Sequence, residues 1–228
     1  MPQLAPLVAL VGADGSGKST LLADLVAQVG GSRRTQSGYL GLGSGPLGQK
    51  IARLPLIGPS LHRFLEEKAR QARDPDGRIP GLLTALVLYR YSLKRKARFD
   101  RMMALRTAGV TVITDRYPQI DVAGFYDGPG LSAARAETRL IRWLAARERR
   151  LYDAMVAEVP TLVLRLTIDL KTAIARKPDH APELLQQKID VTPKLRFNGA
   201  HIVDIDATQP YDRVLADCLS AVDTHIGA

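Results

Sequence analysis

Apolar positions gather in five short runs along the chain, and the stretches between them carry apolar residues at helical spacing. The first run is Leu7 to Val11, LVALV. A weaker one, Tyr39 to Leu42, sits in a glycine-rich setting. The third, Val110 to Thr114, reads VTVIT and is β-branched throughout. The fourth is Thr161 to Ile168, TLVLRLTI, and the fifth is His201 to Ile205, HIVDI. Helical patterns begin at Lys18 and cover about Ile79 to Thr107, Ala133 to Ala157 and Tyr211 to Ile226. Gly109 and Pro160 stand just before the third and fourth runs, where helix-stop signals belong. Apolar strands spaced by helices predict a parallel sheet covered on both faces, in one α/β domain over residues 1–228.

The junction of the first strand and first helix carries chemistry. Gly12 to Ser19 read GADGSGKS, matching G-x-x-x-x-G-K-[ST] after an apolar strand and ahead of a helix. Glycines let the backbone curl so that successive N–H groups point at phosphate oxygens, and the helix start adds a favourable dipole. The candidate nucleotide contacts are therefore Gly12, Asp14, Gly15, Ser16, Gly17, Lys18, Ser19 and Thr20. Lys18 is expected to reach the β- and γ-phosphates of ATP, and the Ser19 hydroxyl to face Mg²⁺. The third strand delivers Asp115 at its C-terminal edge, where open α/β sheets bind ligands and a carboxylate can hold Mg²⁺. Arg116 follows directly, and a guanidinium beside a phosphate site can clamp a second phosphoryl group.

Composition narrows the setting. The 228 residues are 46% hydrophobic, enough for a sizeable core. A single cysteine, Cys218, excludes an internal disulfide. No apolar run approaches the roughly 20 residues of a membrane span, and no basic start precedes the first apolar run, so a cytoplasmic protein is expected. The net charge is +9, from 32 Lys and Arg against 23 Asp and Glu, which suits an anionic partner or a solvated basic surface. The four histidines lack metal-ligand spacing.

The phosphate loop with its internal acidic residue, Gly12-x-Asp14-Gly15-x-Gly17-Lys18-Ser19, and the Asp115-Arg116 pair together resemble the thymidylate-kinase-like group of P-loop kinases. The order of later features is similar too: Arg90 in LVLYRYSL on the helix before the third strand, a basic segment after the fourth, and IDATQP after the fifth. The resemblance implies a three-layer P-loop fold with a five-stranded parallel sheet and a short lid at about residues 176–194. It implies transfer of the γ-phosphoryl of ATP, with Mg²⁺, to a small acceptor, a dTMP-like nucleoside monophosphate first. Asp14 would face the acceptor, Arg116 would bind its phosphate, and Arg176 or Lys177 would close over the transferring group. Ala207 would lie beside the adenine.

The chain departs from that family on the acceptor side. SGYLGLGSGPLGQ has no Arg-Glu-Pro triplet, and Leu86 stands where a base-stacking phenylalanine is usual. Tyr39, Arg90, Arg116, Tyr117 and Tyr126 are the candidate acceptor contacts, with a sugar or other small metabolite as the alternative acceptor. A nucleotide-gated switch or a nucleic-acid-bound ATPase is a further alternative. The latter would use the basic stretch YRYSLKRKARFDR through Arg95, Lys96 and Arg98, although a helix with Arg90 inward and a solvated outer face is preferred. Cys218 and Trp143 read as packing residues, and a homodimer is compatible with the apolar helix faces.

Overall fold

The computed structural model describes residues 4–41, 81–122, 127–131, 136 and 138–227. Five strands, β1 (Leu7–Gly12), β2 (Thr35–Tyr39), β3 (Thr111–Asp115), β4 (Leu162–Thr167) and β5 (Ile202–Asp206), form one sheet in the order β2-β3-β1-β4-β5. Every neighbouring pair is parallel, with Leu10 opposite Asp115 on one side and Leu164 on the other. The three central strands match the expected runs because they are buried on both faces and so read as unbroken apolar sequence. β2 lies earlier than Tyr39 to Leu42. It is an edge strand of sequence TQSGY, largely exposed, so it has no apolar pattern to show.

Among the described residues six α-helices pack around the sheet: α1 (Lys18–Gly30), α2 (Leu82–Thr107), α3 (Arg139–Val156), α4 (Leu170–Arg176), α5 (Pro182–Val191) and α6 (Tyr211–Ile226). Alternation along β1 divides the core. Val8 and Leu10 face a cluster with Leu21 and Leu25 of α1 and Val214 and Cys218 of α6. Leu7, Ala9 and Val11 face the other cluster, with Phe99 and Met102 of α2 and Tyr152 and Met155 of α3. The result is the expected three-layer α/β arrangement.

Local chemistry sets the helix ends. Gly109, at φ 76°, stops α2 with bonds from its own N–H to Arg106 O (3.1 Å) and from Val110 N–H to Leu105 O (3.0 Å). Thr138 caps α3, its hydroxyl accepting from Ile141 N–H, and Asp169 caps α4 in the same way through Thr172 N–H. α2 and α3 run side by side with their N-termini at the same end, as the contacts of Leu88 with Ile141 and Leu144, Ser92 with Glu148 and Arg95 with Tyr152 require. Trp143 is a correction to the sequence reading: it lies on the outer side of α3, 51% exposed, under the Arg147 guanidinium. No helix among the described residues is long and apolar enough to cross a membrane.

Candidate nucleotide and acceptor site

β1 ends in a loop that only glycine can follow. Gly12 stands at φ 151°, and a Cβ there would meet Leu166 O at 2.6 Å; Gly15 and Gly17 are left-handed at φ 86° and 87°. α1 then starts at Lys18 with no side-chain cap, so its first N–H groups are available to an anion. Lys18 is only 8% exposed, and its ammonium donates to Gly12 O and Ala13 O, both at 2.8 Å, and to Ser16 Oγ at 3.4 Å. Burial pushes its pKa down to about 8, with Arg116 adding to the effect. The Ser19 and Thr20 side chains are exposed at the helix start, and Ser16 is buried within the loop.

β3 lies next to β1, so Asp115 arrives beside this loop. Its carboxylate is buried, and Oδ1 has no hydrogen-bond partner among the described residues. Burial raises its pKa, opposed by Lys18 and Arg116. An orphaned hard oxygen beside β1 and within electrostatic reach of Lys18 fits a divalent cation such as Mg²⁺. Among the described residues no cluster of three or more His, Cys, Asp or Glu could hold a metal unaided, so phosphate oxygens and water would complete such a site.

Arg116 adopts φ 72°, a strained conformation for a side-chain-bearing residue, with its N–H on Leu10 O at 2.9 Å. That geometry turns its guanidinium back over the loop. Nη2 lies 3.9 Å from Asp14 Oδ1 and Nη1 lies 3.5 Å from Asp127 Oδ2. Asp127 is the largest influence raising the Arg116 pKa, ahead of Tyr39, Asp115 and Asp14. Lys18, Arg116 and Asp127 line one small cavity together with Gly12, Tyr117 and Phe197.

The segment expected to be a lid packs on the same loop. Lys188 of α5 forms an ion pair with Asp14 Oδ2, and His180 Nε2 stands 4.0 Å from the same oxygen. Burial would raise the Asp14 pKa, but Lys188, then Lys18 and Arg116, hold it below the usual carboxylate value. Arg176 donates to Gly15 O at 3.2 Å and Ala207 O at 2.9 Å, tying α4 to both the phosphate loop and the end of β5. Ala207, buried, is linked to the loop through Arg176.

The remaining acceptor candidates divide. Tyr39 is 44% exposed at the end of β2, with the Arg98 guanidinium over its ring, and is within electrostatic reach of Arg116. Tyr117 belongs to the core: it packs against Phe99 and Phe197, and its hydroxyl donates to Glu158 O. Arg90 and Leu86 are exposed on α2, off its buried face. The inward arginine is Arg95, with no exposed surface, which also removes it from any nucleic-acid face. Tyr126 lies outside the described residues. Sequence reasoning missed the placement of Arg95, Asp127 and Lys188. Arg95 had a signal: Ala85, Leu88, Ser92, Arg95, Phe99 and Met102 recur every three or four residues, which marks the buried face. Lys188 had none.

No family model matches the chain. Two curated Escherichia coli (strain K12) proteins are similar over 217 residues, 95% of this chain. The ATP-binding protein YghR is 45% identical, with 86% of its length covered, and the ATP-binding protein YghS is 44% identical, with 92% covered. Among solved structures, the deoxyadenosine kinase from M. mycoides with bound dATP superimposes with TM-score 0.53, covering 96% of this chain and 99% of that one, at 13% identity. That likeness is one of fold, and it carries the thymidylate-kinase resemblance as far as the P-loop kinase architecture. This chain has a three-layer P-loop NTPase fold and belongs to the family of YghR and YghS.

Proposed function

We propose that the protein binds ATP and transfers its γ-phosphoryl group to a small acceptor. The observation that carries this reading is the second cation, Arg116, turned over the phosphate loop beside Lys18 and Asp115 at the C-terminal edge of the sheet. An ATP-gated switch has no use for an acceptor clamp. The names of YghR and YghS and the fold of deoxyadenosine kinase support the nucleotide half.

Loop N–H groups and Lys18 hold the triphosphate, with the Lys18 ammonium leaving the carbonyls of Gly12 and Ala13 for the phosphate oxygens. Ser19 and Asp115 would hold Mg²⁺, which when bound neutralises charge on the phosphate oxygens. Arg116 receives the acceptor's anionic group, and Lys188 and Arg176 bring the lid segment onto the loop, which excludes water from the transfer. Phosphoryl transfer needs little more than this positioning and neutralisation.

A nucleoside monophosphate, dTMP first, is the leading acceptor. A non-nucleotide acceptor such as a sugar gains support from Leu86 and Arg90. The two α2 positions that would read a base are exposed, off the helix face that carries Arg95. ADP release from Mg·ATP across nucleoside monophosphates, nucleosides, sugars and amino alcohols tests both. Acceptor-dependent release abolished by Lys18→Ala is the expected result. Release that no acceptor stimulates sinks the kinase reading.

A further inference from the structure

Two charged residues next to Arg116, the buried Arg95 and the cavity-lining Asp127, have no part in the function proposed above. Arg95 has no exposed surface and sits on the face of α2 that also carries Ala85, Leu88, Phe99 and Met102. A buried guanidinium is costly unless it is paired and hydrogen-bonded. Arg95 is gripped chiefly by one residue. Its Nη2 pairs with Asp127 Oδ1, and its Nη1 donates to the main-chain Asp127 O at 2.6 Å and to the Tyr152 hydroxyl at 2.7 Å. Asp127 is thereby fixed by side chain and backbone together, at φ 65°. Its other oxygen, Oδ2, faces Arg116 Nη1 at 3.5 Å.

That 3.5 Å separation matters. It is close enough for the carboxylate to aim the guanidinium, and longer than a full charge-assisted bond. Asp14, at 3.9 Å on the other side, is looser still. Arg116 thus stands between two carboxylates, with the long contact to Asp127 as its side chain's one hydrogen bond among the described residues. An arginine has roughly 2 kcal/mol of rotamer entropy to lose when it is fixed. A fork held in place beforehand loses less of it on meeting a ligand.

We propose that the Arg95–Asp127 pair is a positioning device for Arg116, holding its guanidinium across the cleft from Lys18 to receive a tetrahedral oxyanion such as a phosphate group. The proposal rests on the reading that Arg116 binds the acceptor's anion. Arg95 and Asp127 act through Arg116 and need not touch the ligand.

The sign of the effect makes the test decisive. The Asp127 carboxylate by its charge repels an anion at Arg116, so removing that charge alone would tighten anion binding. Loss of positioning would weaken it. Inorganic phosphate titrated calorimetrically onto the Mg·ADP-loaded protein is the probe. Wild type is compared with Asp127→Asn, with Arg95→Met/Asp127→Asn, and with both changes placed on Arg116→Ala. The double variant removes the buried cation that Asp127→Asn leaves uncompensated, and urea unfolding midpoints confirm that it folds. We expect phosphate to bind at least fivefold more weakly to both variants, with no further loss in the Arg116→Ala background. Unchanged or tighter binding overturns the proposal, as does an equal loss in the Arg116→Ala background. If Arg116→Ala binds phosphate as wild type does while Mg·ADP still binds, the anion role of Arg116 falls and the proposal falls with it. Because the titration needs no turnover, its result is separable from the search for an acceptor.

Discussion

Lys18 is buried as a cation, and its pH dependence follows. Its folded pKa is about 8 against 10.5 for an unperturbed lysine side chain. Above pH 8 the free protein increasingly holds a neutral amine, so binding a triphosphate must recruit a proton. The apparent Kd for ATP should rise as pH climbs above 8, by up to about tenfold per unit, and stay flat in Lys18→Met. The stability effect runs the other way. The folded pKa lies below the unfolded one, so between about 8 and 10.5 the unfolded chain binds more protons and this group's contribution to stability rises with pH. Urea midpoints of wild type and Lys18→Met across that window read it directly. The lid cations should separate by role. Among the described residues Arg176 donates to backbone carbonyls on the nucleotide side, whereas Lys188 pairs with Asp14 beside Arg116. Lys188→Met should lower kcat tenfold or more with little change in melting temperature, because a half-exposed ion pair contributes under about 1 kcal/mol. Arg176→Met should instead raise KM for ATP. Steady-state kinetics with the acceptor found in the panel decides, and an unaltered kcat for Lys188→Met would remove it from the transfer step.

At the scale of elements, β4 carries a buried arginine in an apolar run. Arg165 pairs bidentately with Asp204 of β5, at 2.5 and 2.8 Å, and its Nη1 donates to Pro193 O and Leu195 O at 3.2 Å. The sheet thus fastens the chain that returns from α5. Arg165→Met should cost roughly 1–3 kcal/mol in unfolding free energy and speed amide exchange over residues 192–199; unaltered exchange there would mean the segment is held by packing alone. The strands buried on both faces were legible because burial leaves nothing but apolar side chains. β2 was misplaced because an edge strand has solvent on one side and no such constraint. The helix stop at Gly109 was legible because its φ of 76° nearly demands glycine.

For the whole molecule, a nucleotide that binds only the folded chain should stabilise it. Mg·ATP at 100 times its Kd should add about 2.7 kcal/mol, seen as a raised melting temperature in wild type and absent in Lys18→Ala. No shift in wild type would contradict the nucleotide site. Cys218, fully buried between α6 and the sheet, has its thiol pKa pushed up to about 12 by burial. It should resist thiol reagents until the chain unfolds, so labelling rate gives an independent measure of the same stabilisation.

What the sequence determined by itself is the part whose chemistry is local. The phosphate loop needs glycines, a lysine and a hydroxyl within eight residues, and its strand and helix flank it directly. Asp115 and Arg116 were readable because they end a strand whose apolar run is unmistakable. The tertiary structure alone decided which α2 arginine is buried behind the site. Arg90 and Arg95 differ by five residues on one helix, and only the packing of α2 on α3 and the sheet turns Arg95 inward and Arg90 to solvent. Tyr117 lines the small cavity from the core side, because the strained turn at Arg116 directs the next side chain onto Phe99 and Phe197. The meetings of Asp127 with Arg95, 32 residues away, and of Lys188 with Asp14, 174 residues away, leave no periodicity or spacing to read. Contacts between distant segments are fixed by how the layers stack, and that is a property of the fold rather than of any stretch of the chain.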